Sequence, residues 1–227
     1  MNKLTKAGFA GLFLSLTAVL ASCGGSSTST TDTAAVTADV YPVTVGDLTL
    51  EAQPVSIISL SPTATEMLYA IGAGSQVVAV DEYSNFPAEA VALGTTLSGF
   101  EPNIEAISGY SPDLVIISYD PGSLVEQLGT LNIPVFVAGA AMSLENVYEQ
   151  IEQLGVLTGH SQAAIEVSKT LQTGIEDAVA SVKFSEPPLS YYYELDNTYY
   201  SVTSNTFVGQ IFNLFGMRNI ADNVESG

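Results

Sequence analysis

Apolar and polar positions along most of this chain alternate between a short period and a helical one. Short apolar or β-branched runs at Val55 to Leu60 (VSIISL), Gln76 to Val80 (QVVAV), Leu114 to Ser118 (LVIIS) and Val135 to Ala138 predict strands. They are of the kind buried in a parallel sheet. Between them, helices are predicted from their entry and exit residues. Ser61-Pro62-Thr63 opens the first, with Thr63 and Glu66 spaced as a capping box and Gly72 as a natural stop. Asn103 is placed to cap a short helix through Ile107, and Leu124 to Leu131 reads as another. Ser143 caps a longer one in which Leu144, Val147, Ile151 and Leu154 share a face. Strand-helix-strand units with short links imply an α/β fold, a mostly parallel sheet with helices on both faces.

The pattern changes at Ser161. From there to Lys183 the chain reads as one helix, roughly 35 Å long at 1.5 Å per residue. Ile165, Ser168, Leu171, Ile175, Ala178 and Val182 form its stripe at spacings of three and four. Pro187-Pro188 stops it. A strand follows at Leu189 to Leu195 (LSYYYEL), then a short one at Tyr199 to Val202 and a helix from about Thr206 to Leu214, with Gly216 at its end. A helix of this length between two α/β segments predicts two Rossmann-like lobes joined by a strut. So few strands after it predict a second lobe that is incomplete, as in a fragment cut inside that lobe. Such a lobe would expose apolar sheet surface and promote aggregation.

The first residues read as an address. Lys3 and Lys6 precede Ala7 to Leu20, an uncharged apolar stretch too short for a membrane span, which needs about 20 residues, and suited to a signal-peptide core. Leu20-Ala21-Ser22-Cys23 is similar to the bacterial lipobox, which implies lipidation of Cys23 and cleavage before it. Gly24 to about Val43 is rich in Gly, Ser, Thr, Asp and Ala without a period, a flexible tether, and the body is expected to begin near Leu48. The expected organisation is therefore a leader at 1–22, a tether at 23–48, a first lobe at 49–160, the interlobe helix at 161–183 and the start of a second lobe at 184–227.

Composition narrows the chemistry. Five Lys and Arg stand against 24 Asp and Glu, for a formal charge of −19, and this field repels phosphate backbones and argues against a nucleic-acid partner. Without the leader, Lys169, Lys183 and Arg218 face all 24 acids, a balance of −21. Hydrophobic residues at 47% with 13% charged residues describe a folded body. One Cys forbids an internal disulfide, and one His forbids a histidine-rich metal cage, so no metal site or cofactor is expected. No G-x-S-x-G elbow, complete dinucleotide fingerprint or phosphate-binding loop is present, so the chain does not read as an enzyme.

An ordered series of short motifs then carries a resemblance. It runs through Leu60-Ser61-Pro62, Thr65-Glu66, Gly72, Tyr83 to Pro87 (YSNFP), Pro102 to Ile107 (PNIEAI) and Ser111 to Ile116 (SPDLVI). Leu154-Gly155 to Gly159, the long helix, and Phe215-Gly216 to Asn219-Ile220 continue it. Over residues 54 to 223 the chain resembles the substrate-binding proteins of ABC importers for iron-siderophores, haem and vitamin B12. The resemblance implies two α/β lobes joined by one long helix, a ligand held in the cleft, little movement on closure, and docking onto a permease served by ATPase subunits. It also implies a monomeric, extracytoplasmic lipoprotein held at the membrane through Cys23. Glu105 matches the lobe-surface glutamate that meets permease arginines. Two features depart from the family pattern: the second lobe is incomplete, and the tryptophans common in corrinoid clefts are absent.

In an open parallel sheet, ligands bind outside the carboxyl ends of the strands. Those ends are Ser61 to Thr63, Asp81 to Asn85, Ser98 to Phe100, Tyr119 to Gly122 and Gly139 to Ala141, opposed by Glu194 to Asn197. Ser61, Pro62, Tyr83, Phe100, Tyr119 and Glu194 are the candidate ligand contacts. The rings suit a large flat or macrocyclic ligand, and the cleft loops hold no Lys or Arg to meet a strongly anionic one. That favours a corrinoid or a ferric hydroxamate. Haem would need an axial Tyr or His, for which Tyr83 and Tyr119 are available. His160 is either a metal or haem ligand or a surface residue at a helix start. An extracytoplasmic sensor lipoprotein on the same fold is the alternative function.

Overall fold

The computed structural model describes residues 39–223. The leader, Cys23 and most of the expected tether lie outside the described residues. The body starts ahead of Leu48 with a hairpin of β1 (Val43–Val45) and β2 (Leu48–Leu50), turned at Gly46 with φ +57°. The opposed hydroxyls of Thr44 and Thr49 meet at 2.9 Å across it.

The next elements alternate. They are β3 (Ile57–Leu60), α1 (Pro62–Ala70), β4 (Val77–Val80), α2 (Ala88–Val91), α3 (Ile104–Ser108), β5 (Leu114–Ile117), α4 (Leu124–Gly129), β6 (Val135–Val137) and α5 (Leu144–Thr158). All four inner strands are parallel, in the order β4-β3-β5-β6. Successive strand residues feed opposite faces. Ile57, Val77, Leu114 and Ile116 pack with Leu68, Ile71, Leu154 and Leu157 on one side, and Ile58, Val115 and Ile117 pack with Ile107, Leu124 and Leu128 on the other. Both faces are covered, as a parallel sheet requires. The hairpin closes the first core, where Tyr41 donates its hydroxyl to the Leu157 carbonyl at 3.0 Å. Burial, with the Asp39 carboxylate beside it, pushes that phenol up to about 12.

Asn103 and Ser143 cap α3 and α5 as expected. The first helix differs. Ser61, not Thr63, is the cap of α1, accepting from the Ala64 amide at 3.3 Å, while Thr63 and Glu66 stay exposed. Pro62 explains this: it lacks an N–H and favours the first helical position, which moves the cap two residues earlier, to Ser61.

The long helix α6 (Ser161–Ala180) ends before Lys183. Its buried line is Ala164 and Ser168, with Val167 partly covered, whereas Ile165 and Leu171 of the expected stripe are half exposed. Close packing on α5 selects the small residues. A Cβ at Gly155 would collide with that of Ala164, so glycine lets the two helices approach. After α6 come β7 (Ser190–Tyr191), α7 (Phe207–Leu214) capped by Thr206, and β8 (Arg218–Asn219), which pairs in parallel with β7. The strand expected over Leu189 to Leu195 thus shrinks to two residues, and Tyr199 to Val202 contributes one bridge, Ser201 to Glu194. Among the described residues β7 has a partner on one side only, which leaves the rest of that segment without a ladder to join. Of the three tyrosines at 191–193, Tyr191 is buried and stacks on Phe212 with centroids 4.2 Å apart.

Candidate functional site

Strand order reverses between β3 and β5, the switch point at which open α/β sheets leave a crevice. Two chambers meet there and share Ser118 and Tyr119 from the end of β5. The aromatic chamber, about 320 Å³, is lined by Leu60, Pro62, Asp81, Tyr83, Gly99 and Phe100 besides the shared pair. The second, about 390 Å³, lies between Ser61, Thr63 and Met67 of the α1 end and the Ala138 to Ala141 loop, with Val147 and Gln150 of α5 behind.

Three rings make a stepped shelf. Tyr83 meets Phe100 edge to face at 5.5 Å, and Phe100 meets Tyr119 at 6.2 Å with planes tilted by 46°. Each pair contributes about 0.5–1.5 kcal/mol beyond area burial, enough to orient rings that are otherwise open to solvent. They are open: Tyr83 is 54%, Phe100 62% and Tyr119 43% exposed. Such aromatic area at a concave site is a surface for covering a flat apolar body. Gly99 brings the Phe100 loop close, because a Cβ there would lie 2.8 Å from the Leu60 carbonyl.

A buried hydroxyl chain supports the shelf from behind. Ser84 Oγ donates to Asp81 Oδ1 at 2.7 Å and lies 3.0 Å from Thr65 Oγ1. Thr65 in turn donates to Ser59 Oγ at 2.8 Å. Ser59 is the polar residue in the otherwise apolar β3, and this chain accounts for it. The contacts tie β3 and α1 to the loop that carries Tyr83. In the second chamber, Gln150 donates to the Gly139 carbonyl at 2.7 Å and holds that loop against α5.

Ser61, Pro62, Tyr83, Phe100 and Tyr119 therefore come together, as the strand-end rule predicts. Glu194 does not join them: it is exposed, lines neither chamber, and sits on the one-bridge turn opposite Ser201. Glu105 is exposed in the first turn of α3 and also lines neither chamber. His160 lies at the other end of the sheet. Its Nδ1 is 2.9 Å from the Thr158 carbonyl, which also accepts from Gln76 at the start of β4. Among the described residues no cluster of three or more His, Cys, Asp or Glu could hold a metal. Sequence reasoning missed Gln150 and Val147, which reach the site from the first half of α5. Asp81 was named among the strand ends, after β4, but not among the ligand contacts; it lines the aromatic chamber.

A switch-point cleft with an aromatic shelf, on an α/β body continued by a long helix, defines a ligand-binding protein of the two-lobed transport class. Residues 57–226 match the periplasmic binding protein family, and the chain belongs to it. It is 28% identical over 229 residues to an ABC transporter substrate-binding lipoprotein of Bacillus subtilis, covering 95% of this chain and 73% of that one. It is 31% identical over 198 residues to a cobalamin-binding protein of Halobacterium salinarum, covering 82% of this chain and 53% of that one. Among solved structures, the periplasmic vitamin B12 binding protein of Vibrio cholerae superposes with a TM-score of 0.61 at 27% identity, over 76% of this chain and 68% of that one. The family is extracytoplasmic, and it binds substrates for ABC transporters.

Proposed function

We propose that this chain is the ligand-capturing subunit of an ABC importer and that its ligand is a corrinoid of the cobalamin class. The carrying observation is the Tyr83, Phe100 and Tyr119 shelf at the switch point, with no Lys, Arg or His in the lining of either chamber. A large flat ligand of little net charge fits such a lining, whereas a strongly anionic chelate finds no counter-charge. The relatives named for cobalamin and vitamin B12 support the corrinoid. On this reading Ser61, Pro62, Tyr83, Phe100 and Tyr119 contact the ligand. The protein catalyses nothing, works as a monomer, and is tethered at the membrane by lipid on Cys23.

The test uses the full encoded chain with Cys23→Ala to prevent lipidation. It is incubated separately with cobalamin, haemin, a ferric hydroxamate and a ferric catecholate, then freed of excess ligand. A stoichiometric corrinoid spectrum is expected. Retention of another chromophore replaces the ligand, and no retained colour removes the importer reading for these ligands and favours a sensor lipoprotein. Glu105, exposed on α3 and outside the chambers, is the docking residue on the same reading. Glu105→Ala should leave ligand affinity within about twofold and lower uptake by at least about tenfold, a factor worth 1.4 kcal/mol of docking free energy; uptake at the wild-type rate removes that role.

A further inference from the structure

Asp81 follows β4, is only 4% exposed, and lines the aromatic chamber. Its two carboxylate oxygens have different surroundings. Oδ1 accepts from Ser84, which the Thr65 and Ser59 hydroxyls back in turn, so the carboxylate is fixed in orientation. No donor among the described residues reaches Oδ2, and that atom is not sealed from solvent. It faces Gly99, where a Cβ would stand 3.1 Å away, so glycine leaves the space beside it free. No cationic side chain lines the chamber to pair with it. A carboxylate held this way keeps one oxygen available to a donor that enters from the chamber.

We propose that Asp81 sets which ligands the shelf accepts. Its free oxygen takes a hydrogen bond from an N–H or O–H donor, or a positive charge, on the ligand rim, and it turns away ligands that place a carboxylate there. The inference rests on the importer reading above. A donor arriving at Oδ2 makes a charge-assisted hydrogen bond, about twice as strong as a neutral one. A ligand carboxylate at the same place meets like charge where water is scarce and the effective dielectric is low. An amide-rimmed corrinoid supplies neutral N–H donors, and a cationic ferric hydroxamate supplies an ammonium. Haem propionates and ferric tris-catecholates bring the wrong sign.

The probes are cyanocobalamin and the set of its monocarboxylates, in each of which one side-chain amide is hydrolysed to an acid. Binding is measured by titration to the full encoded, unlipidated chain. Wild type should bind cyanocobalamin at least about tenfold more tightly than the weakest monocarboxylate. Asp81→Asn should weaken cyanocobalamin by about tenfold and narrow the preference below about threefold, because the charge-assisted bond becomes a neutral one. If Asp81→Asn binds and discriminates like wild type, the inference falls while the importer reading stands. If wild type ignores corrinoids but retains a cationic ferric hydroxamate and loses it on Asp81→Asn, the corrinoid reading falls and the inference stands. Retention of haemin or the catecholate alone overturns it, and binding of no probe overturns both. If Asp81→Asn does not fold, the wild-type series decides: equal affinity for cyanocobalamin and every monocarboxylate overturns the inference.

Discussion

All four residues of β5, Leu114 to Ile117, are sealed from solvent, whereas only Tyr191 is buried in the run Leu189 to Leu195. Both stretches carry the apolar and aromatic residues of a strand. The difference lies in their neighbours. β5 is held on both sides by β3 and β6 and covered on both faces, while among the described residues β7 has β8 alone. The later segment is instead held by local contacts. These include the Thr206 cap, the Tyr191 and Phe212 stack, Asn219 donating to the Val202 carbonyl at 2.7 Å, and the Asp222 carboxylate accepting from the Ser204 amide and hydroxyl at 2.8 and 2.6 Å. A strand pattern is thus a request for partners, and its length in the fold reports how many answer.

The sharpest way to break this contrast is to cut into both regions. Leu68→Ala or Ile116→Ala should cost about 2–5 kcal/mol in urea unfolding, because each leaves a cavity in a sealed core. Leu195→Ala, at a site 56% exposed, should stay within about 0.5 kcal/mol. Equal costs would show that the later segment shares the body's cooperativity. Tyr191→Ala sharpens the point. It should abolish hydrogen-exchange protection around β7 and β8 while Leu114 to Ile117 keep theirs, since the ring supports only its own neighbourhood.

Two titrations follow, with smaller effects. Tyr41 holds its proton more tightly folded than unfolded, because burial and then Asp39 raise its pKa to about 12. The folded state therefore binds the extra proton between pH 10 and 12. Stability from this group is complete below the ordinary phenol value and is lost as pH rises through that window. Tyr41→Phe should flatten the alkaline limb of the melting curve of the sheet body. In the later segment, hydrogen bonds from Ser204 hold Asp222 below the usual carboxylate range. Its contribution is present above the ordinary value and lost as pH falls through the lowered one. The group is open to solvent, so Asp222→Asn should barely move the acid limb and should show only as faster exchange near Ser204.

How much of this was legible beforehand follows the same logic. The four body strands could be read because β-branched runs bounded by Gly and Pro have one stable use, the middle of a covered sheet. Their order could not, because pairing depends on residues far apart in sequence. The shelf was legible through Tyr83, Phe100 and Tyr119, since strand ends in such sheets carry the ligand. Glu194 was misplaced because its position depended on a strand that did not extend. The cap of α1 was read two residues late because Pro62 outweighed the spacing of Thr63 and Glu66. The part played by Asp81 was hidden because it depends on which of two oxygens Ser84 and Thr65 leave free, and those residues come from separate elements.

The hydroxyl chain from Ser59 to Asp81 has a consequence for timing. It holds the loop of Tyr83, and with it the shelf, in shape before any ligand arrives. Little rotamer freedom then remains to be lost on capture, which favours tight and slow-leaving complexes. A socket that is already set does not let go by relaxing. On the importer reading proposed above, release of the ligand is then expected to need a receiver that pries the rings away from their supports.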